Sequence, residues 1–158
     1  SNASERSSAL RSELDESLRI LGKASHLWVC GESWTYDLAV FVKKAFDLVG
    51  LDSTAFVAHE TSSNHALRRM DPEHDVLIAL VNTETAVHMP TVIQRARSKG
   101  IQIVTVSKQS VSDLASEAES SLTFPLETDE GVPRFALLLQ MLALVWETLN
   151  RQTAGIDA

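Results

Sequence analysis

Two short polar segments carry the residues of this chain that could do chemistry. The first is Gly31-Glu32-Ser33 and the second is residues 81–86 (VNTETA); each follows an apolar run. Gly31 lets the backbone turn sharply, and Ser33 stands where its hydroxyl and the neighbouring amides would begin a helix. Helix N-termini attract anions such as phosphate, so the first segment is compatible with anion binding, although ordinary helix capping explains it as well.

The other candidate residues give weaker signals. The chain has five histidines: His26, His59, His65, His74 and His88. Their spacing does not match a metal site, so we expect no metal. His59-Glu60 follows a predicted strand and could reach the first segment from the same or a neighbouring subunit. Glu60 would act as a general base only with a raised pKa, and a solvated carboxylate is the simpler interpretation. We expect Trp28 in the core, and Trp34 either against a ligand or against the last helix.

The elements that position these loops alternate between strand and helix. Predicted strands cover residues 26–30, 54–58, 75–81, 101–107 and 121–124. Predicted helices cover residues 5–22, 38–49, 65–70, 91–99, 112–118 and 135–150. Gly50 and Gly100 end two of them, and a Thr-Ser-Ser-Asn start signal precedes the third.

This alternation predicts an α/β fold. A parallel sheet covered by helices on both faces gives a three-layer αβα sandwich, with five strands in the flavodoxin-like order 2-1-3-4-5. In that order the loops after strands one and three meet at the crevice where such sheets bind ligands. The two polar segments are those loops.

Composition limits the classes of function. The chain has 158 residues, 44% of them hydrophobic, which suits one domain with a real core. Its formal net charge of -7 argues against a surface that binds nucleic acid. Cys30 is its single cysteine, which rules out an internal disulfide and fits a cytoplasmic location. The longest apolar stretch, residues 135–146, contains Gln140 and is too short to span a membrane.

Several motifs occur in an order that resembles a known family. Gly31, Ser33 and, with a shift in spacing, Ala39 match a Gly-x-Ser-x-x-x-Ala element after the first strand. Residues 112–115 (SDLA) and 118–119 (AE) match a later Ser-Pro-Leu-Ala and Ala-Asp pattern. From about residue 14 to residue 150 the chain resembles a sugar isomerase (SIS) domain, and more narrowly the effector domain of RpiR-type transcriptional regulators.

The chain departs from this family after the third strand. SIS domains place Ser-x-Ser-Gly-x-Thr there, which wraps a sugar phosphate. Aligned without a gap, Val81 and Thr83 occupy the two Ser positions, Glu84 replaces the Gly and Ala86 replaces the Thr. One hydroxyl of three remains, and at about 4 Å the added carboxylate costs a phosphate from about 1 kcal/mol in water to a few kcal/mol near a protein surface. We expect a sugar acid, an amino sugar or another polar metabolite instead, or an empty pocket.

The resemblance implies a ligand site without a catalytic residue or cofactor. The expected ligand-binding residues are Gly31, Glu32, Ser33, His59, Val81, Asn82, Thr83, Glu84 and Thr85. Ser33, Asn82, Thr83 and backbone amides would hold the ligand. We expect both Glu32 and Glu84 to face this site, so that hydroxyl or ammonium donors are preferred over a doubly charged phosphate.

The domain organisation follows from the same resemblance. Residues 1–3 (SNA) are typical of an expression-tag remnant, residues 4–22 form a connector helix and residues 23–152 form the SIS domain. We expect a helix-turn-helix domain upstream in the natural protein. The last predicted helix is apolar on most sides between Phe135 and Trp146, which predicts a homodimer or tetramer.

Two classes of function remain open. One is a metabolite-sensing, dimerising effector domain that binds a carbohydrate derivative and reaches DNA only through the upstream domain. The other is a stand-alone aldose-ketose phosphosugar isomerase. An isomerase needs a base near the sugar C1 and C2 and an intact phosphate cradle, and the altered second loop favours the sensor. A sensor-like domain that binds no ligand is a third possibility.

Overall fold

The structure is a computed structural model that describes residues 16, 17, 19–48, 50–82 and 86–107, and the backbone of residues 120–123. Its strands are β1 His26–Gly31, β2 Ser53–Val57, β3 Asp75–Val81, β4 Gln102–Ser107 and β5 Ser120–Thr123. Its helices are α1, described at residues 16, 17 and 19–21, α2 Trp34–Leu48, α3 Glu60–Arg69 and α4 Met89–Lys99. The predicted helices over residues 112–118 and 135–150 and most of residues 5–22 lie outside the described residues.

The strands form one parallel sheet in the order β2-β1-β3-β4-β5. Val29 lies opposite Ala55 on one side and Ile78 on the other, and Ile78 lies opposite Val104. The strand order therefore reverses between β1 and β3, as the sequence predicts. The carboxyl ends of these two strands frame the crevice of an open α/β sheet.

Helices cover both faces of the sheet. Every residue of β3 is buried, because alternate side chains enter two different cores. Val29, Ile78 and Val104 pack with residues of α1 and α2 in the first core. Trp28 and Leu77 pack with residues of α3 and α4 in the second. The three-layer αβα prediction is confirmed, with α1 and α2 on one face and α3 and α4 on the other.

Helix α3 begins at Glu60 and not at residue 65, so the predicted start signal at residues 61–64 is wrong. His59 is the N-cap, in an extended conformation with φ of -111° and ψ of 149°. The hydroxyl of Ser63 donates to the carbonyl oxygens of His59 and Glu60, at 2.7 and 3.2 Å. A serine that bonds back to the preceding turn can lie inside a helix, which the preference of serine for caps obscures.

The amino end of the sheet is fixed by a buried carboxylate. Asp75 accepts a hydrogen bond from the Trp28 indole at 2.9 Å and another from the backbone N–H of Asp71 at 2.9 Å. The Arg69 guanidinium lies 5.6 Å from the centre of the Trp28 ring. Trp28 is thus a core residue with a satisfied polar atom, as predicted.

Gly100 ends α4 in the left-handed conformation, with φ of 87°, and its N–H bonds the carbonyl oxygens of the last turn. This also confirms a prediction. Within the part of the chain that the structure describes, no helix has the length and apolar character needed to cross a membrane.

Candidate functional site

Strand β1 ends at Gly31, a glycine that the packing requires. A Cβ atom on Gly31 would lie 2.2 Å from the carbonyl oxygen of Thr35 and 2.5 Å from the backbone nitrogen of Tyr36. The first turn of α2 therefore rests directly on the end of β1. The Gly31 carbonyl still accepts a hydrogen bond from Ala58 N–H at 2.8 Å, so the backbone remains tied to the end of β2.

The start of α2 is held by Thr35. Its hydroxyl accepts a bond from Glu32 N–H at 2.7 Å and donates to the Glu32 carbonyl at 2.9 Å. Ser33 has a φ of 57°, in the left-handed region, and its carbonyl accepts from Tyr36 N–H at 3.0 Å. The residue predicted as the cap is thus the strained corner of the turn, and the hydroxyl of Thr35 performs the local bonding.

Glu32 joins the two loops of the crevice. Its carboxylate accepts from Val87 N–H at 3.0 and 3.2 Å, from His88 N–H at 2.8 Å and from Met89 N–H at 3.2 Å. The residue is 9% exposed. The sequence placed Glu32 at the site but did not indicate that its charge is directed at backbone amides of its own chain.

The amides of His88 and Met89 are among the donors at the N-terminus of α4 that have no partner within the helix, and the amide of Val87 precedes them. His88 is the N-cap and makes no side-chain capping bond, and Pro90 occupies the first turn, where its missing N–H costs nothing. The Glu32 carboxylate therefore takes the place of a capping side chain and lies at the positive end of the helix dipole. The N-terminus of α4 therefore already has an anionic partner, the carboxylate of Glu32.

The same carboxylate affects the neighbouring thiol. Cys30 is fully buried. Burial raises the pKa of the Cys30 thiol well above its ordinary value, and the negative charge of Glu32 raises it further. The thiol is therefore protonated at neutral pH and is a poor nucleophile.

Two exposed histidines border the crevice. His59 is the N-cap of α3 and His88 the N-cap of α4, and their ring centres are 5.5 Å apart. The structure thus adds His88 to the predicted site residue His59. The sequence feature that could have identified His88 is its position, because each of the two histidines lies between a strand and the helix that follows it. Imidazole nitrogens donate and accept hydrogen bonds, which suits the hydroxyl groups of a polar ligand.

Of the remaining predicted site residues, the structure describes Val81 and Asn82. Val81 is 2% exposed and packs in the second core, so its side chain faces apolar neighbours. Asn82 follows it and is half-buried. Thr83, Glu84 and Thr85 lie outside the described residues. Trp34 is partly buried against the first core.

Glu60 lies in the first turn of α3 and is exposed, which favours the solvated carboxylate over a general base. Among the described residues no group of three or more His, Cys, Asp or Glu is placed to hold a metal ion.

Comparisons with known proteins show that this chain is similar to others in structure but not in sequence. No family model and no curated protein matches the sequence. The sugar isomerase domain of an RpiR transcription factor from Sphaerobacter thermophilus superposes with a TM-score of 0.71 at 18% identity, over 92% of this chain and 86% of that chain.

Two further solved structures show the range of proteins with this fold. The NanR protein of Vibrio vulnificus, complexed with ManNAc-6P, matches with a TM-score of 0.77 at 16% identity. The match covers 93% of this chain but 57% of NanR, so this chain spans little more than half of that protein. A protein from Methanococcus jannaschii, for which the function of a 3-hexulose-6-phosphate isomerase was inferred, matches with a TM-score of 0.72 at 15% identity, over 90% and 79% of the two chains. The fold of this chain is therefore that of the SIS domains, which occurs in an RpiR transcription factor, in NanR and in a protein inferred to be a phosphosugar isomerase.

Proposed function

We propose that this chain is a metabolite-sensing, dimerising SIS effector domain of an RpiR-type transcriptional regulator. Its ligand is a carbohydrate derivative bound in the crevice between the ends of β1 and β3. The observation that carries the proposal is the convergence of residues 31–33, His59 and His88 at the point where the strand order reverses. The likeness to the RpiR domain and to NanR supports a regulator, and the ManNAc-6P bound by NanR supports a sugar ligand.

The described crevice favours binding over catalysis. An isomerase needs a base within hydrogen-bond reach of the sugar carbon that loses its proton. The Glu32 carboxylate already accepts bonds from three amides, and Glu60 is exposed on α3. Neither carboxylate is placed as a desolvated base with a free oxygen directed at a substrate.

An isomerase is the second candidate, and one observation supports it. The exposed imidazoles of His59 and His88 lie side by side, and histidine is the side chain best suited to move protons near neutral pH. The likeness to the Methanococcus jannaschii protein points the same way. Turnover therefore has to be measured together with binding.

The proposal is tested by titrating amino sugars, sugar acids and sugar phosphates into the isotope-labelled chain and following its amide signals. We expect a ligand to shift the signals of Gly31, His59 and His88 together. His88→Ala should weaken that ligand by about threefold to tenfold, as expected for the loss of one hydrogen bond. His74→Ala, at the opposite edge of the sheet, is the matched control and should leave the affinity unchanged.

Two results would contradict the sensor. A ligand that shifts none of the crevice amides would place the site elsewhere. Conversion of an aldose into a ketose by the unmodified chain, abolished in His59→Ala or His88→Ala, would establish the isomerase instead.

The sensor role carries two further proposals. Contact with DNA comes from an upstream helix-turn-helix domain, because the net charge of -7 does not suit phosphate contacts by this chain. The regulator acts in the cytoplasm. Salt-dependent binding of DNA by this chain alone would contradict the first of these.

A further inference from the structure

We infer that Glu32 determines the ligand class of the crevice by occupying the anion position at the N-terminus of α4. The built-in carboxylate excludes the phosphate group of a sugar phosphate and leaves the crevice to uncharged or cationic carbohydrate derivatives. The identity of the ligand as a carbohydrate rests on the proposed function. The exclusion of phosphate does not rest on it, because it is argued from the hydrogen bonds of Glu32 and the charges of the described helix starts.

The hydrogen-bond donors at the start of α4 are already used. Three consecutive amides, those of Val87, His88 and Met89, point at the two carboxylate oxygens with donor–acceptor distances of 2.8 to 3.2 Å. These are the charge-assisted bonds that a helix N-terminus offers to a bound phosphate. A phosphate could take them only by removing Glu32 from a position in which it is 9% exposed.

Electrostatic repulsion also opposes a phosphate at this position. A phosphate beside Glu32 would meet a like charge in a partly buried site, where water screens the repulsion less than at the surface. Neutralising cations are missing from the described helix starts at this edge. The first turns of α2, α3 and α4 contain no Lys or Arg, whereas α2 and α3 carry Asp37 and Glu60 there.

Most of the positive charge of α3 and α4 lies at the far ends of these helices. Of their five Lys and Arg residues, Arg68 and Arg69 are in the last turn of α3, and Arg97 and Lys99 are in the last turn of α4. Helices that connect parallel strands begin at the carboxyl edge and end at the amino edge of the sheet, so these cations are remote from the crevice. The polar groups left at its rim include the two exposed imidazoles at the N-caps of α3 and α4, which suit hydroxyl or amine groups.

The test uses inorganic phosphate as the probe and needs no knowledge of the ligand. In the unmodified chain, phosphate should leave the amide signals of Val87, His88 and Met89 unchanged, because Glu32 already bonds these groups. Glu32→Ala removes the carboxylate and opens the three amides. Phosphate should then shift these signals and bind at least about tenfold more tightly than in the unmodified chain. Asp37→Ala is the matched control: it removes one carboxylate from the same edge and should gain no such binding.

Each outcome decides for or against the role of Glu32. Phosphate that shifts the Val87 and His88 signals of the unmodified chain would overturn it, as would a folded Glu32→Ala chain with no gain in phosphate binding. If Glu32→Ala does not fold, the titration of the unmodified chain still decides. If no sugar binds, the proposed function fails, but the phosphate titration still tests the role of Glu32. The failure of the proposed function and the failure of this inference are therefore distinguishable.

Discussion

At the scale of single residues, the crevice depends on the absence of a side chain at Gly31. Gly31 does not have a positive φ, and its requirement is steric, because a Cβ atom would overlap the carbonyl of Thr35. Gly50 is the opposite case. It has a φ of 83°, and a Cβ atom there would meet nothing within 4 Å, so its requirement is conformational.

Gly31→Ala should destabilise the chain by about 3 kcal/mol, because the first turn of α2 must move away from β1. Gly50→Ala is the matched control and should cost about 1 kcal/mol, the penalty for placing a Cβ atom in the left-handed region. The free energies of unfolding in urea measure both. Equal losses in the two variants would show that the close contact at Gly31 is not rigid.

At the scale of elements, the turn that leads into β3 has a pH-dependent ion pair. The ring of His74 bonds the Asp71 carboxylate at 2.7 Å, and both groups are exposed. In this hydrogen bond the ring N–H of His74 donates to the Asp71 carboxylate, which raises the pKa of His74 and lowers the pKa of Asp71. The contribution of His74 to stability is therefore present below its unfolded pKa of about 6.5 and is lost as the pH rises through the folded value.

Asp71 contributes with the opposite sign, above its unfolded pKa of about 3.9, and loses the contribution as the pH falls. The pair should thus stabilise the chain most between about pH 4 and pH 6.5. The urea midpoint should fall slightly between about pH 6 and pH 8, and His74→Asn should remove that part of the decline. An unchanged pH profile in His74→Asn would show that the pair contributes nothing.

Sequence patterns predicted the sheet better than the turns. After Asp75, residues 76–81 are apolar on both faces of the strand, so the place of β3 at the centre of a parallel sheet follows directly from its composition. The predicted start of α3 was wrong because the hydroxyl of Ser63 bonds inside the helix and not at its cap. The bond between Glu32 and the amides of α4 could not be predicted, because it joins residues 55 to 57 positions apart through a geometry that only the folded crevice defines.

At the scale of the whole molecule, we propose that the chain assembles through its C-terminal apolar segment. As the helix that the sequence predicts, the segment from Phe135 to Trp146 would be apolar on most sides and would contribute to the interface of a homodimer or tetramer. Light scattering at micromolar concentration should report a multiple of 17.3 kDa. Leu142→Glu should shift the distribution toward the monomer, because a charge in an apolar contact is costly.

Gln140→Glu is the matched control for assembly. It places the same charge at the one polar position between Phe135 and Trp146, so it should shift the distribution less than Leu142→Glu does. An unmodified chain that is monomeric under these conditions would contradict the proposed assembly.

The central claim is that the crevice binds a carbohydrate derivative whose phosphorylated form Glu32 rejects. Calorimetry with matched pairs, each a sugar and its phosphate ester, tests this most directly; N-acetylmannosamine and ManNAc-6P are one such pair. We predict that a pair is found in which the unphosphorylated member binds more tightly, by about tenfold or more, and that Glu32→Ala reduces or reverses the preference. Tighter binding of the phosphate ester by the unmodified chain would contradict the claim.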